Sequence, residues 1–466
     1  MPQRENGFFA GKVQFNKATI YHNSIELDVI LNGDKETYGP FSVELIDIIE
    51  EISLFEDIMS PFLTGELVIN DSTNILLNLP VLGQEILEMD YQTPFSDSKV
   101  SRFFYIYKVS EPIITEKKQL YKLHFVSYEA TKNISTSISK AFKGNSTNII
   151  KQIYEEFLKV DNKKPIRTLD SSDALKFVCP NWSPVKAINW VTNRAISRNS
   201  REAGFFFFET VDGFNFYDLE YLMNKGFNRP FTDILAEQTD EKNGQPQGPE
   251  TAPGFYVRPG NIRKHQNGEF PTAGPKDTAE EYKQVIDFSI EDKIDFLKDV
   301  QDGALGNTLI VHDIRTKRIT KYQYDYVADF EKFTHIEGSK IYSDKVQGKF
   351  YNSFVNVMPM HSRNFLDENH NYVNDWYQPR LLTRNKLNAI KISNFQINGH
   401  VNLNAGALVY FRFPQAQSST DNASPPEDKY FKGYYLVTAC RHVFQQDKHT
   451  IYMELVKDSF ATEIGQ

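Results

Sequence analysis

Residues Tyr434–Lys457 read YYLVTACRHVFQQDKHTIYMELVK, and residues Tyr105–Ser127 read YIYKVSEPIITEKKQLYKLHFVS. In each, apolar and polar side chains alternate on both sides of a polar stretch, Gln445–His449 in one and Thr115–Gln119 in the other. A period of two is that of a strand with one buried face, so each stretch predicts a β-hairpin. Placing Tyr105 on Tyr435 puts Tyr107 and Val109 on Val437 and Ala439. Without a gap, Tyr121, Leu123 and Phe125 then fall on Ile451, Met453 and Leu455, with Lys118 on Lys448 and Val126 on Val456. The likeness continues upstream, where Gly83 precedes Leu87, Met89 and Tyr91, and Gly406 precedes Val409, Phe411 and Phe413; Pro94 and Pro414 close the two runs. The chain therefore carries one β-module twice. Closed oligomers are built by rotation, so three subunits with two equivalent modules each present six positions around a ring.

At 466 residues the chain exceeds one ordinary core, and two to four domains are expected. Its 36 Phe and 24 Tyr favour strands and buried interfaces. A net charge of −9 argues against a general nucleic-acid binder, whose affinity comes from Lys and Arg on phosphates, but is compatible with an acidic channel that DNA passes through. Cys179 and Cys440 stand far apart, with no disulfide framework or zinc spacing, and each reads as a small buried hydrophobe. No apolar signal region and no run of eighteen apolar residues is present, so neither classical export nor a membrane anchor is expected.

Along the chain, Val13 to Ala130 reads as mostly β, with two short strands in Val13–Leu31. Residues 60–65 form a turn into a strand at Glu66–Asn70, and Asp71–Leu79 a short helix capped by Asp71 or Ser72. From Thr147 the period becomes helical, with Ser146 or Thr147 as cap, and Ser183-Pro184 opens a second helix. Phe205–Thr210 and Phe214–Leu219 around Asp212-Gly213 predict a tight hairpin. Glu237–Pro275 is rich in Pro, Gly, Gln, Glu and Lys and predicts a loop or extended excursion. Ile286–Val300 reads as a strand followed by a helix, and Thr308–Tyr326 as a hairpin with Arg315–Arg318 at its tip. A last module runs from Leu387, interrupted by the loop Ala416–Pro426.

Catalytic spacings are lacking. His312-Asp313 lies in a strand, and Gly303 and Gly306 lack the lysine and hydroxyl residue of a phosphate loop. The acidic pairs Glu50-Glu51, Glu155-Glu156 and Glu280-Glu281 read as solvated surface, and Trp182 and Trp190 as core anchors. Arg194, Arg198 and Arg201 suit a helix C-terminus or a subunit interface. No catalytic, cofactor-binding or metal-binding residues are assigned, no cofactor is expected, and the chain is not expected to be an enzyme.

Four stretches in order carry a resemblance. Glu56-Asp57-Ile58 with Ser60–Leu67 and Leu79–Glu85 is similar to the N-terminal domain of baseplate central hub proteins of contractile bacteriophage tails. Pro180–Pro184 with Ala187–Trp190, Gly204-Phe205, Asp212–Phe214 and Asp313–Tyr326 resembles that family's middle region, and Gly433–Thr438 with Arg441-His442 its closing module. The resemblance implies a mainly β chain with α+β insertions: a first tube-like β-barrel domain at 1–143, an α+β middle domain at 144–236, the Pro/Gly-rich loop at 237–275, a second middle α+β domain at 276–385 and a second tube-like barrel at 386–466. It further implies a homotrimeric structural virion protein of the tail baseplate, assembled in the host cytoplasm. That protein adapts a hexameric tail tube above to a trimeric spike below, contacts wedge proteins, and conducts viral DNA without specific binding. The hub of a type VI-like injection system and a tail-associated cell-wall hydrolase are the alternatives. No needle repeat follows Phe460, and the 39 residues of Glu237–Pro275 are too few for an embedded enzyme domain.

Overall fold

The computed structural model describes residues 10–25, 27–32, 41–72, 75, 81–93, 99–114, 118–160, 164–198, 202–225, 254–256, 282–292, 294–360, 372–413, 415 and 427–463. No helix among them is long and apolar enough to cross a membrane.

The first module is built of β1 (Gln14–Tyr21), β2 (Ser42–Glu44), β3 (Ile49–Asp57), β4 (Thr64–Asp71), β5 (Ile86–Gln92), β6 (Lys99–Ile114) and β7 (Gln119–Ser127). They lie antiparallel in the order β3-β4-β7-β6-β5-β1-β2. β4 shows why the alternation decides the fold: Gly65, Leu67, Ile69 and Asp71 turn inward and their neighbours outward. Leu67 faces Leu123 across β4 and β7, and both are wholly buried among Leu54, Leu87, Met89 and Phe125. One expectation fails here. Leu27–Asn32 is a helix instead of a second strand, because Leu27, Ile30 and Leu31 fall on one helical face that packs on Tyr21 and Ile86, leaving Val29 outside.

Between the modules, β8 (Ala141–Gly144) pairs with β10 (Leu175–Val178), while β9 (Ile166–Thr168), β11 (Phe205–Thr210) and β12 (Gly213–Asp218) form a second small sheet. The helix Ser146–Ile153, continued by a π-helical turn Tyr154–Leu158, and the helix Pro184–Thr192 cover its core. The first helix is capped by Asn145, whose side chain accepts from Asn148 N, and not by Ser146 or Thr147 as the sequence suggested. Those two hydroxyls are drawn inward instead, onto Asp173 and Ser171. The strand β13 (Gly254–Tyr256) is a further correction. It lies inside the expected loop, yet pairs in parallel with a strand of the second module and buries Phe255 in that module's core. The remainder of 237–275, Pro94, Pro414 and the loop 416–426 fall outside the described residues.

β14 (Val285–Asp292) precedes the helix Phe296–Gln301, and β15 (Gly306–Asp313), β16 (Ile319–Asp325) and β17 (Val355–Met360) form a third small sheet flanked by the helix Val373–Lys386. The second module adds β18 (Ile390–Asn398), β19 (Leu408–Arg412), β20 (Gly433–Gln445) and β21 (Lys448–Lys457).

Strand order repeats between the two modules. β3-β4-β7-β6-β5 in the first module is repeated as β14-β18-β21-β20-β19 in the second, antiparallel at every step. Each copy of the hairpin carries a bulge near the same point, between Ile106 and Lys108 and between Val437 and Ala439. The bulges make Tyr107 the counterpart of Thr438, so Phe104 and Ile106 correspond to Tyr435 and Val437, one residue away from the ungapped match. Alternation alone fits either register, but burial decides it: Phe104 and Ile106 are 2% and 0% exposed and Tyr107 50%. The return strand needs no shift, since Leu67 facing Leu123 is matched by Phe395 facing Met453. Before the equivalent strands β5 and β19 stands a glycine in the left-handed region, Gly83 at φ 88° and Gly406 at φ 87°.

Candidate functional site: the inter-module junction

The two modules join edge to edge. The first residues of β20, Gly433–Leu436, pair with β19 of their own module, and the later ones, Ala439–Phe444, pair antiparallel with β3 of the first module. The two modules thus share one continuous sheet. Arg441 clamps the seam, donating through Nε and Nη2 to Ser53 Oγ at 3.1 and 2.9 Å and through Nη2 to Glu51 Oε1 at 3.0 Å, while Gln445 Nε2 donates to Glu51 Oε2. Phe444 reaches into the first module's core, with its ring 4.8 Å from Tyr91 and 5.4 Å from Phe15. Ile58 returns the exchange by packing in the second module's core.

At the centre lies Glu56, wholly buried. Its Oε1 accepts from Val211 N at the β11–β12 turn (2.8 Å) and its Oε2 from Ala405 N before β19 (2.9 Å), so one carboxyl touches three parts of the chain. Cys440, its register partner, sets Sγ 3.5 Å from Oε2 and 3.4 Å from His442 Nε2; His442 Nδ1 lies 3.0 Å from His449 Nε2. Burial pushes the Glu56 carboxyl up to about 8 and the His442 imidazole down to about 4, and drives the Cys440 thiol upward. Cys440 is buried in the second module's core, as expected, and there also meets Glu56 and His442. The sequence held the signal: Cys440 and His442 two apart share one face of β20, and His449 stands on the hairpin's other arm. Glu56 comes from the far end of the chain and is brought there by the fold alone.

A second buried group ties the middle region to the first module. Lys164 Nζ binds Glu129 Oε2 at 2.7 Å and the Glu209 carboxylate, whose Oε2 accepts from Leu63 N at 3.0 Å.

The filled seam has two counterparts elsewhere in the chain. By strand order, β6 corresponds to β20 and β14 to β3. Among the described residues the outer half of β6 pairs with β7 alone, and β14 with β18 alone. At the seam Val443 faces Ser53, and these are 6% and 2% exposed. Following the registers, their counterparts are Ile113, 58% exposed, and Ser289, also exposed. Tyr107 on β6 and Ile286 on β14 are exposed as well. Both edges match, in strand position, surfaces that are covered at the seam.

The residues singled out for chemistry take structural places. Asp313 accepts from Arg315 N, Thr316 N and Thr316 Oγ1 and shapes the β15–β16 turn. Trp182 and Trp190 lie 6.2 Å apart against the middle core, Trp190 beside Phe177. Arg194 stacks on Trp190 at 4.0 Å and on Trp376 at 5.0 Å and donates to Trp190 O in the helix's last turn. Arg198 makes an exposed pair with Asp170; Arg201, Glu280 and Glu281 lie outside the described residues. Glu156 and Glu155 pair with Lys140 and Lys159 at the surface. Gly303 and Gly306 lie so close to Phe354 and the Phe350 backbone that a Cβ at either would collide.

No family model matches the sequence. No curated protein matches it either. Solved structures do. A tail protein from Neisseria meningitidis aligns over 96% of this chain and 99% of its own, at 9% identity and a TM-score of 0.50. The 43 kDa tail protein of a Shewanella oneidensis prophage aligns over 95% and 98% at 7% identity and a TM-score of 0.49. A type VI secretion component from E. coli aligns over 88% and 74% at 9% identity and a TM-score of 0.40. At such identities what is shared is the fold: over the aligned part of the chain it is the fold of the Neisseria tail protein.

Proposed function

We propose that this chain is a structural hub of a phage tail baseplate, and that three copies close a ring in which the six β-modules alternate. The observation that carries the reading is the seam. Inside one chain a second module's β20 is completed by a first module's β3. In a ring of equivalent modules the same junction recurs between chains, with β6 of one copy completed by β14 of the next. Following the in-chain registers, Ile113 then stands opposite Ser289, and Ser110 opposite Asp292. Backbone pairing satisfies the open edges, and burying Ile113, 58% exposed in the single chain, contributes about 1–2 kcal/mol at each of three interfaces.

Six modules from three chains match a six-fold tube on one face and a three-fold spike on the other. The ring in this reading continues the tail tube, seats the spike, and conducts DNA through a lumen that is on balance acidic or neutral. Wedge proteins would meet its outside. The role is structural, in the virion tail. Zymography on cell-wall substrate tests this directly, and a lytic band would overturn it.

The experiment for the seam is the double variant Ile113→Cys/Ser289→Cys. Directly opposed residues place Cβ atoms about 4.5–5.5 Å apart, close enough for a short bifunctional thiol linker. Covalent trimers are expected, with neither single variant producing them. Trimers by mass photometry that fail to cross-link would refute the register and leave the ring standing; a stable monomer would remove both.

A further inference from the structure

We infer that Glu56, Cys440 and His442 form a zinc site at the seam between the two modules. Three donors of the kinds that bind zinc, a carboxylate, a thiol and an imidazole, converge in the protein interior, with all three ligand atoms within 4.8 Å of one another. Two of the three spacings are those of a coordination sphere, and the third, between Glu56 and His442, lies within 4.8 Å. Bonds of about 2.3 Å to sulfur and about 2.0–2.1 Å to nitrogen and oxygen set tetrahedral ligands roughly 3.3–3.6 Å apart. Here Glu56 Oε2 to Cys440 Sγ is 3.5 Å and Cys440 Sγ to His442 Nε2 is 3.4 Å.

Two of the three donors, Glu56 and His442, are also held in place from behind, as ligands of resident metals are. Both Glu56 oxygens accept a backbone N–H, from Val211 and from Ala405. His442 turns Nε2 toward the cluster while Nδ1 meets His449 Nε2 at 3.0 Å. With the metal on Nε2, His442 carries its proton on Nδ1 and donates it to His449, which is then a positioning residue.

Charge gives the third reason. Among the described residues, Glu56 makes no ion pair with a lysine or arginine, although it is only 2% exposed. A divalent cation here would balance one carboxylate and one thiolate. Three protein donors leave one coordination position for a water. Because Glu56 belongs to the first module and the other two donors to the second, the ion would rivet the sheet where the modules meet. It adds a fastening to each chain and does not depend on how chains assemble.

The test is metal analysis of the full-length chain, purified by a tag without histidine and without chelator. About one zinc per chain is expected, and cobalt supplied in its place should give tetrahedral ligand-field bands in the visible with a thiolate-to-cobalt charge-transfer band in the near ultraviolet. Cys440→Ser should abolish the charge-transfer band, and a band that survives the substitution would place the metal elsewhere and overturn the site. His449→Ala should weaken metal affinity about 10–100-fold while leaving the band's position unchanged. Should Cys440→Ser fail to fold, the cobalt spectrum of the unaltered chain still decides. Protein that carries no zinc and gives no cobalt spectrum overturns the site and leaves a chain of hydrogen bonds from Glu56 to His449. A spectrum without sulfur-to-metal charge transfer overturns it equally.

Discussion

Lys164→Met tests how the middle region is anchored. Lys164 is 5% exposed, and its ammonium stands between the carboxylates of Glu129, 2% exposed, and Glu209, fully buried. Burial by itself lowers the lysine's affinity for its proton, but Glu129 and Glu209 outweigh it and the net shift is upward; the Glu129 carboxyl is raised by burial, with Lys164 opposing. Removing the cation while keeping its bulk leaves two buried carboxylates with no counter-charge. Breaking a buried pair in this way costs about 3–5 kcal/mol. The sign with pH follows from linkage. In the variant the Glu129 carboxyl, already raised by burial, loses the lysine that opposes the rise, so the folded state binds more protons than the unfolded one above the ordinary carboxylate range. Stability is then present at low pH and lost as pH rises. Urea unfolding followed by tryptophan fluorescence reads this region, since Trp182 and Trp190 pack on its core. The midpoint should drop sharply at pH 7.5, recover partly at pH 5, and recover at both when Glu129→Gln and Glu209→Gln are added. A loss below about 1 kcal/mol at pH 7.5, or one independent of pH, would refute the reasoning.

Three further outcomes follow. Phe444→Ala should cost about 3–5 kcal/mol, because it empties a site in the first module's core from the second module's strand; calorimetry should show the two modules melting apart instead of together. Lys457, beside Glu337 and donating to Lys432 O, has its ammonium pulled down to about 8 by burial against the pull of Glu337. The folded state therefore binds fewer protons than the unfolded between pH 8 and 10.5, so stability should rise with pH across that window by roughly 3 kcal/mol, and Lys457→Met should flatten the rise. Ile113→Lys should leave the monomer's melting temperature within a degree or so while shifting mass photometry from trimers toward monomers, because the side chain is exposed in the single chain.

Much of the fold was legible because buried and exposed residues alternate with little interruption. Leu123 and Phe125 against Met453 and Leu455 suffice to align the return strands, and the glycines at 83 and 406 mark equivalent turns. The outgoing strand was misread by one position because YIY and YYLV each offer two aromatic or aliphatic registers, and only burial chooses between Phe104 and Tyr105. The helix Leu27–Asn32 was missed since six residues satisfy both periods. β13 was missed because composition describes its Pro- and Gly-rich surroundings and not the single Phe255 that packs. The Glu56 cluster had no local spacing to betray it: its donors are joined by register across β3 and β20, which exists only once the chain has folded.

Equivalence of the two modules is the claim on which the rest depends, and an electron-microscopic projection of the purified assembly down its axis tests it most directly. Six similar lobes from three chains, with β6 of each copy against β14 of the next, is the expected image. A particle of single chains, or a three-chain particle in which the second modules stand away from the annulus formed by the first, would contradict it.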